Sequence, residues 1–326
     1  MKQLLCTATG LVEPVERPTP ALGEGELLIK MLACGVCGTD LMKVYDEATP
    51  KPVQLGHEIV GEVVETTTQL FDLGQRVAVA HHAPDFSSHY AKRGSETQDP
   101  QFKASNVFPG GFSEFIRVPA DLVSHTVFAV PTDMPTERAV FMEPLACCLR
   151  ALDRVPVTPG DTVLVVGVGA IGLLFVPLLR GCGAAVFADD IREERLAMAK
   201  AWGAIIDGDV HQASQGRGAD VVILTVVNPE TLALALGAVR DGGWIIPFGV
   251  KPGMTPSLDL WQMYRREVSL VASYSATPDG LARALGLLAR PGFELEKTIS
   301  HRFALGDAAQ GFELLHQAKA AKVLIY

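Results

Sequence analysis

The sequence predicts an α/β protein, with a doubly wound parallel sheet in one domain and a mainly β, barrel-like second domain. Three observations carry this expectation. From Asp161 onward, short β-branched runs alternate with helical stretches, as repeated βαβ units around a buried parallel sheet require. Upstream, short alternating strands lie between Gly, Pro and Asp turns, an antiparallel pattern. The chain ends Lys322-Val-Leu-Ile-Tyr326, which alone would be an unpaired edge and is expected to add to the N-terminal sheet. That makes the first domain discontinuous: 1–146 with 276–326, around a second domain of 147–275.

Five parallel strands are expected at 162–166, 185–189, 220–225, 244–248 and 268–273, where β-branched and aromatic residues cluster. Helices are expected over 192–202 and 229–239, from apolar repeats at helical spacing, with Asn228-Pro229 as a helix start. Two prolines conflict with this pattern. Pro177 falls about two turns into the first helix and should kink it, and Pro247 removes a donor from a strand expected to be internal. In the N-terminal part, strands are expected at 26–32, 59–65, 76–80 and 112–118. Residues 162–179 carry no charge, at the lower limit for a membrane span, but Gly167, Gly169 and Gly172 divide them into a strand, a turn and a helix.

Composition narrows the function. The 326 residues hold 28 Lys and Arg against 37 Asp and Glu, a net charge of −9, with no basic run, which argues against nucleic acid or an anionic membrane as partner. Small-molecule chemistry is the expectation. Six unevenly spaced cysteines do not make a disulfide framework, and the start Met1-Lys2-Gln3 opens no apolar signal segment, so a cytoplasmic location is expected.

Gly167-Val-Gly169-Ala170-Ile171-Gly172 follows a strand and opens a helix, and Asp189-Asp190 ends the next strand about twenty residues later. In that context the glycines let the backbone approach a pyrophosphate, the helix N-terminus attracts its charge, and the acid bonds ribose hydroxyls. A carboxylate there repels a 2′-phosphate, which favours NAD over NADP, although Arg192 lies two residues on. Arg195 either flanks the adenine or is an exposed helix charge.

Cys34-Gly-Val-Cys37-Gly-Thr39-Asp40 is followed by Gly56-His57-Glu58 and later by Glu143-Pro144-Leu145. A Cys-x-x-Cys pair can be a redox dithiol, but no βαβ context surrounds Cys34. A thiolate, an imidazole and a carboxylate gathered on loops suit a catalytic zinc with an open fourth position.

These pieces, with Gly74-x-Arg-Val-Ala-Val79, Gly110-Gly111-Phe112-Ser-Glu-Phe115 and Ala321-Lys322-Val-Leu324, resemble the zinc-dependent alcohol dehydrogenases of the medium-chain dehydrogenase/reductase family. The pattern is nearest to polyol, butanediol and threonine dehydrogenases and covers nearly the whole chain. The resemblance implies a Rossmann-type domain beside a GroES-like catalytic domain, assembled as a homodimer or homotetramer. It implies zinc held by Cys37, His57, Glu58 and Glu143, proton transfer through Thr39, and Asp40 supporting His57. If Cys37 and one carboxylate bind as anions, the zinc site is neutral; two carboxylates make it −1. One is therefore expected to bind tightly, with Glu143 partnering the water at the open position and Glu58 exchanging.

The chain departs from that pattern twice. Many such enzymes hold a structural zinc with cysteines spaced Cys-x-x-Cys-x-x-Cys-x7-Cys, where this chain has Asp85, Ser88, Ala91 and Asp99, so one zinc per chain and no structural zinc is expected. Asp85, His82 and His89 could catch another metal, or the segment is a polar loop. A histidine that links the buried proton path to solvent in many of these enzymes is also missing, since 41–45 read Leu-Met-Lys-Val-Tyr; Tyr45, water or the cofactor ribose would complete the path. The expected activity is hydride transfer from a small secondary alcohol, polyol or amino alcohol to NAD. The alternatives are an NADPH-dependent carbonyl reductase and a non-catalytic nucleotide-binding sensor or assembly protein.

Overall fold

The computed structural model describes all 326 residues, which fall into two compact units, Met1–Ala146 with Ala276–Tyr326 and Cys147–Ser275. In the first unit, the strand Leu27–Gly35 is the organising element. It pairs antiparallel with Glu58–Thr66, with Phe115–Val118 and with the terminal strand Lys322–Ile325. The chain's tail thus closes an edge of a sheet begun near its start, with Ile299–Phe303 added outside it in parallel. Arg76–Val79 and Val127–Ala129 continue the sheet beyond Glu58–Thr66. A smaller antiparallel sheet, Leu11–Glu16, Lys2–Ala8 and Val53–Gln54, joins it through the bridge between Gln3 and Ser113.

That bridge explains why the strand expected over 112–118 starts only at Phe115. The Phe112 carbonyl accepts from Leu4 N–H and Glu114 N–H donates to Lys2, so residues 112–114 turn a corner between the two sheets. The core beneath gathers Leu4, Leu27, Ile29, Ile59, Phe112, Ile116, Phe312 and Val323, all at most 2% exposed. Apolar burial on this scale is the main favourable term in folding.

The second unit is a five-stranded parallel sheet. Its order is Ala185–Asp189, Thr162–Val166, Ala219–Leu224, Val239–Pro247, Ser269–Leu270. Thr162–Val166 is buried throughout, as a central parallel strand is. The helix Ala170–Gly181 follows it, with Pro177 in its interior. The uncharged stretch is therefore a strand, turn and helix, and no helix of the structure is long and apolar enough to cross a membrane.

The last two strands differ from expectation. The fourth starts at Val239, five residues early, because Val239 pairs with Ala219 across an irregularity near Gly242 and Gly243. The fifth shrinks to Ser269–Leu270, with one further bond from Val271 N–H to the Ile245 carbonyl. This shortness removes the Pro247 conflict. Phe248 N–H donates to Leu224, so strand alternation points position 247 to the other side, beyond the point where the fifth strand stops pairing.

Candidate metal and cofactor sites

Cys37 precedes the helix Gly38–Tyr45, and His57 precedes the strand Glu58–Thr66. The turn before His57 depends on Gly56, whose φ of +85° L side chains rarely adopt and whose Cβ would meet the Phe112 nitrogen. Because His57 lies on this turn and not in the strand, the alternation that would send His57 and Glu58 to opposite faces does not apply. Donor atoms of Cys37, His57 and Glu58 all lie within 4.8 Å of one another, with His57 and Glu58 buried.

Asp40 binds the two ligand-bearing segments together. One carboxylate oxygen accepts Cys37 N–H at 3.1 Å, and the other accepts Gly56 N–H at 2.9 Å and faces His57 Nδ1 at 3.6 Å. Burial opposes the charge on Asp40, but His57 and these donors outweigh it and keep its carboxyl below the usual range. Burial likewise opposes a charge on His57, yet Asp40 and Cys37 hold the imidazole well above its ordinary value. A basic imidazole oriented by a carboxylate is a good metal donor. The Thr39 hydroxyl stands 3.7 Å from Cys37 Sγ, at the rim of the same cluster.

The sequence reading passed over Lys322 as a site residue. It is 3% exposed, and its ammonium pairs with Glu58 Oε2, donates to the Val36 carbonyl at 3.3 Å and lies over the Phe141 ring. Burial works against this charge, but Glu58, Cys37 and Glu143 together raise the Lys322 pKa. Glu58 Oε1 has no hydrogen-bond partner. Gly35 must lack a side chain here, since a Cβ would run into the Glu58 carboxylate. Glu143, 7% exposed in the first turn of Met142–Leu152, adds its charge to the same cluster. In the sequence, Lys322 stands only within the Ala321-Lys322-Val-Leu324 piece of the resemblance, opening an otherwise apolar strand.

Tyr45 stacks on His316 with ring centroids 3.7 Å apart, and its hydroxyl meets Glu313 at 3.2 Å. Burial and Glu313 push its pKa up to about 12. The His81 ring lies 4.8 Å from His57 and 3.7 Å from His82. His82 Nδ1 is taken by the Ser105 carbonyl at 2.7 Å, and burial brings its pKa down to about 4.

The four positions where the resemblance implies cysteines form a hydrogen-bonded cluster centred on Asp99. Asp99, 2% exposed, caps the helix Pro100–Ala104 by accepting Gln101 and Phe102 N–H, and it also accepts Asp85 N–H at 3.1 Å. The Ser88 side chain bonds Asp99, and Ser88 Oγ accepts Ala91 N–H. The Asp85 carboxylate is occupied by the Ser87 N–H and hydroxyl. Burial disfavours the Asp99 anion, but these donors prevail and lower its pKa.

Asp99→Ala should therefore cost about 1–2 kcal/mol, as loss of a helix cap does, and should increase proteolysis within 82–108. Because the folded pKa is depressed, this contribution is complete above the ordinary carboxylate value of 3.8 and is lost as pH falls through the lower folded value. Limited proteolysis from pH 7 down to pH ~3 should show the wild type approaching the variant only at the acid end. Identical cleavage at neutral pH would remove Asp99 from this role.

In the second unit, Gly167 follows the first strand, and Ala170, Ile171 and Gly172 form the first turn of the following helix. The Thr225 hydroxyl donates to the Gly167 carbonyl at 2.7 Å and fixes the loop. Asp190 accepts Val168 N–H at 2.8 Å through one oxygen and Arg192 N–H at 3.0 Å through the other, with Arg195 3.7 Å away. A carboxylate has about four acceptor sites, so Asp190 keeps capacity for ribose hydroxyls. The Arg192 guanidinium is paired with Glu194 at 2.8 Å. Asp189 is exposed.

Known proteins resemble this chain along most of its length. Residues 23–131 match the alcohol dehydrogenase GroES-like domain, and residues 170–290 match the zinc-binding dehydrogenase family. Sorbitol dehydrogenase of Bacillus subtilis is 28% identical, covering 95% of this chain and 92% of its own. L-threonine 3-dehydrogenase of Ruegeria pomeroyi is 27% identical, covering 95% of each. The crystal structure of a zinc-binding dehydrogenase from Sinorhizobium meliloti bound to NADP superposes with a TM-score of 0.88 at 29% identity, covering 99% of this chain and 98% of that one. The chain belongs to the zinc-dependent branch of the medium-chain dehydrogenase/reductase family, whose members here are oxidoreductases acting on CH–OH groups.

Proposed function

We propose that the protein oxidises a small secondary alcohol, polyol or amino alcohol with NAD, using one zinc ion per chain. The cluster of Cys37, His57 and Glu58, with Thr39 at its rim, carries this reading. A thiolate, an imidazole and a carboxylate within 4.8 Å fit zinc, and Glu58 Oε1, buried without a hydrogen-bond partner, is the atom a cation would satisfy. Bound there, with Glu143 beside it, zinc would supply Lewis acidity toward a carbinol oxygen. Thr39 receives the carbinol proton, Asp40 keeps His57 oriented, and Asp190 accepts ribose hydroxyls while the Gly167–Gly172 turn takes the pyrophosphate. The donor set argues against a non-catalytic sensor. Elemental analysis should find about one zinc per chain, and a screen of diols, sugar alcohols and β-hydroxy amino acids should show NAD reduction. Two zinc ions per chain, or none with no turnover, would overturn the reading.

The NADP-bound relative makes cofactor choice a separate test. With Asp190 at the ribose and Arg192 engaged by Glu194, kcat/KM should favour NAD by at least ~10-fold, or about 1.4 kcal/mol. A preference for NADP would move the protein to the reductase alternative. The free thiols of Cys6, Cys34, Cys37 and Cys182 support a reducing cytoplasm. The exposed Leu260, Trp261 and Tyr264, 65–77% accessible on Leu260–Arg266, support a second copy of the chain as partner, in a homodimer or homotetramer. Trp261→Ser with Tyr264→Ser should lower the mass seen by sedimentation, and an unchanged assembly would place the interface elsewhere.

A further inference from the structure

Lys43 has no place in the chemistry above. It lies on the helix Gly38–Tyr45, four residues after Thr39, so the two share one face with about 6 Å of rise between them. It is half-buried and makes no hydrogen bond or ion pair. An ammonium partly withdrawn from water without a counter-ion has its field incompletely screened. Two carboxylates close by in the sequence are already engaged: Asp40 by Cys37, Gly56 and His57, and Asp46 by Ala48 N–H and the Thr49 hydroxyl.

From this placement we infer that the substrate is an anionic polyol, with its carboxylate or phosphate held by Lys43 several carbons from the carbinol that meets Thr39. The inference rests on the dehydrogenase reading and names its substrate class. His81 and His82 stack beside His57 at centroid spacings of 4.8 and 3.7 Å, and Lys43 acts electrostatically on both rings and on Asp40. Lys43 is thus within electrostatic range of the group formed by Asp40, His81 and His82. A neutral polyol would leave the ammonium without a partner, so selectivity arises from the unpaired charge as well as from the bond gained.

The test compares zinc-loaded wild type with K43Q and K43R on three substrate sets: neutral hexitols, hexonic acids and hexitol phosphates. In the wild type, kcat/KM for one of the two anionic sets should exceed that for hexitols at least ~10-fold and should fall as salt is raised. Which set it is distinguishes a carboxylate from a phosphate. K43Q should collapse that ratio, and K43R should restore most of it. Inorganic phosphate should raise the melting temperature of the wild type more than that of K43Q, a readout independent of turnover. A preference for neutral hexitols, or equal loss on all three sets in K43Q, overturns the substrate class and leaves the dehydrogenase reading standing. Absence of turnover on every set together with absence of bound zinc overturns the dehydrogenase reading itself.

Discussion

Cys37→Ser should empty the metal site and reduce alcohol oxidation by at least ~10³-fold, since Lewis-acid stabilisation of the developing charge is worth several kcal/mol. Cys34→Ser should keep its zinc. The structure separates the two thiols: Cys37 supplies a donor atom to the cluster with His57 and Glu58, whereas Cys34 is fully buried within Leu27–Gly35. Burial, followed by the charges of Asp40 and Glu58, pushes the Cys34 pKa well above its usual value, so it stays a thiol. An added hydroxyl there costs about 1–3 kcal/mol of stability if unpaired, but it removes no ligand. Elemental analysis beside the cofactor-reduction rate decides the matter. Comparable zinc loss from both variants would return Cys34 and Cys37 to the redox-pair reading.

What the sequence revealed, and what it hid, follows the range of the interactions. The Gly167–Gly172 turn and the strands flanking it are local patterns, set by backbone sterics and by burial on both faces, and the first two parallel strands fall where the β-branched runs end. The terminal strand was legible because an apolar run needs a partner, and it found Leu27–Gly35. Lys322 was not legible as a site residue, because its partner Glu58 is 264 positions away and a lone lysine at a strand start ordinarily reads as solvated. The network around Asp99 hid for another reason. Its sequence trace, Asp99-Pro100, is an ordinary helix start, and its role depends on amides and hydroxyls brought in from Asp85 and Ser88 by the fold. The fifth parallel strand was overestimated because β-propensity over 268–273 says nothing about whether an edge finds further partners.

Lys322 also changes the charge count at the metal. Zinc with one thiolate and two carboxylates is −1, but the buried ammonium restores neutrality with Glu58 and Glu143 both ionised. The two glutamates then differ by what holds them: Glu58 has a fixed cation on Oε2 and only Oε1 to offer a metal, whereas the Glu143 charge is one of three acting on that cation. Glu58→Gln should mainly weaken zinc retention, and Glu143→Gln should mainly slow turnover with zinc still bound. Lys322→Met isolates the charge itself. It strands a carboxylate that is 1% exposed, and breaking a buried pair from one side costs about 3–5 kcal/mol. The metal-free variant should therefore unfold at markedly lower urea concentration than the metal-free wild type. Zinc should recover part of the difference, because Glu58 can then take its countercharge from the metal. Combining Lys322→Met with Glu58→Gln should recover most of the rest, since no uncompensated charge remains. If Lys322→Met costs less than ~1 kcal/mol, the range of an exposed pair, the lysine is not what balances Glu58, and the site must tolerate the extra negative charge that the sequence arithmetic rejected.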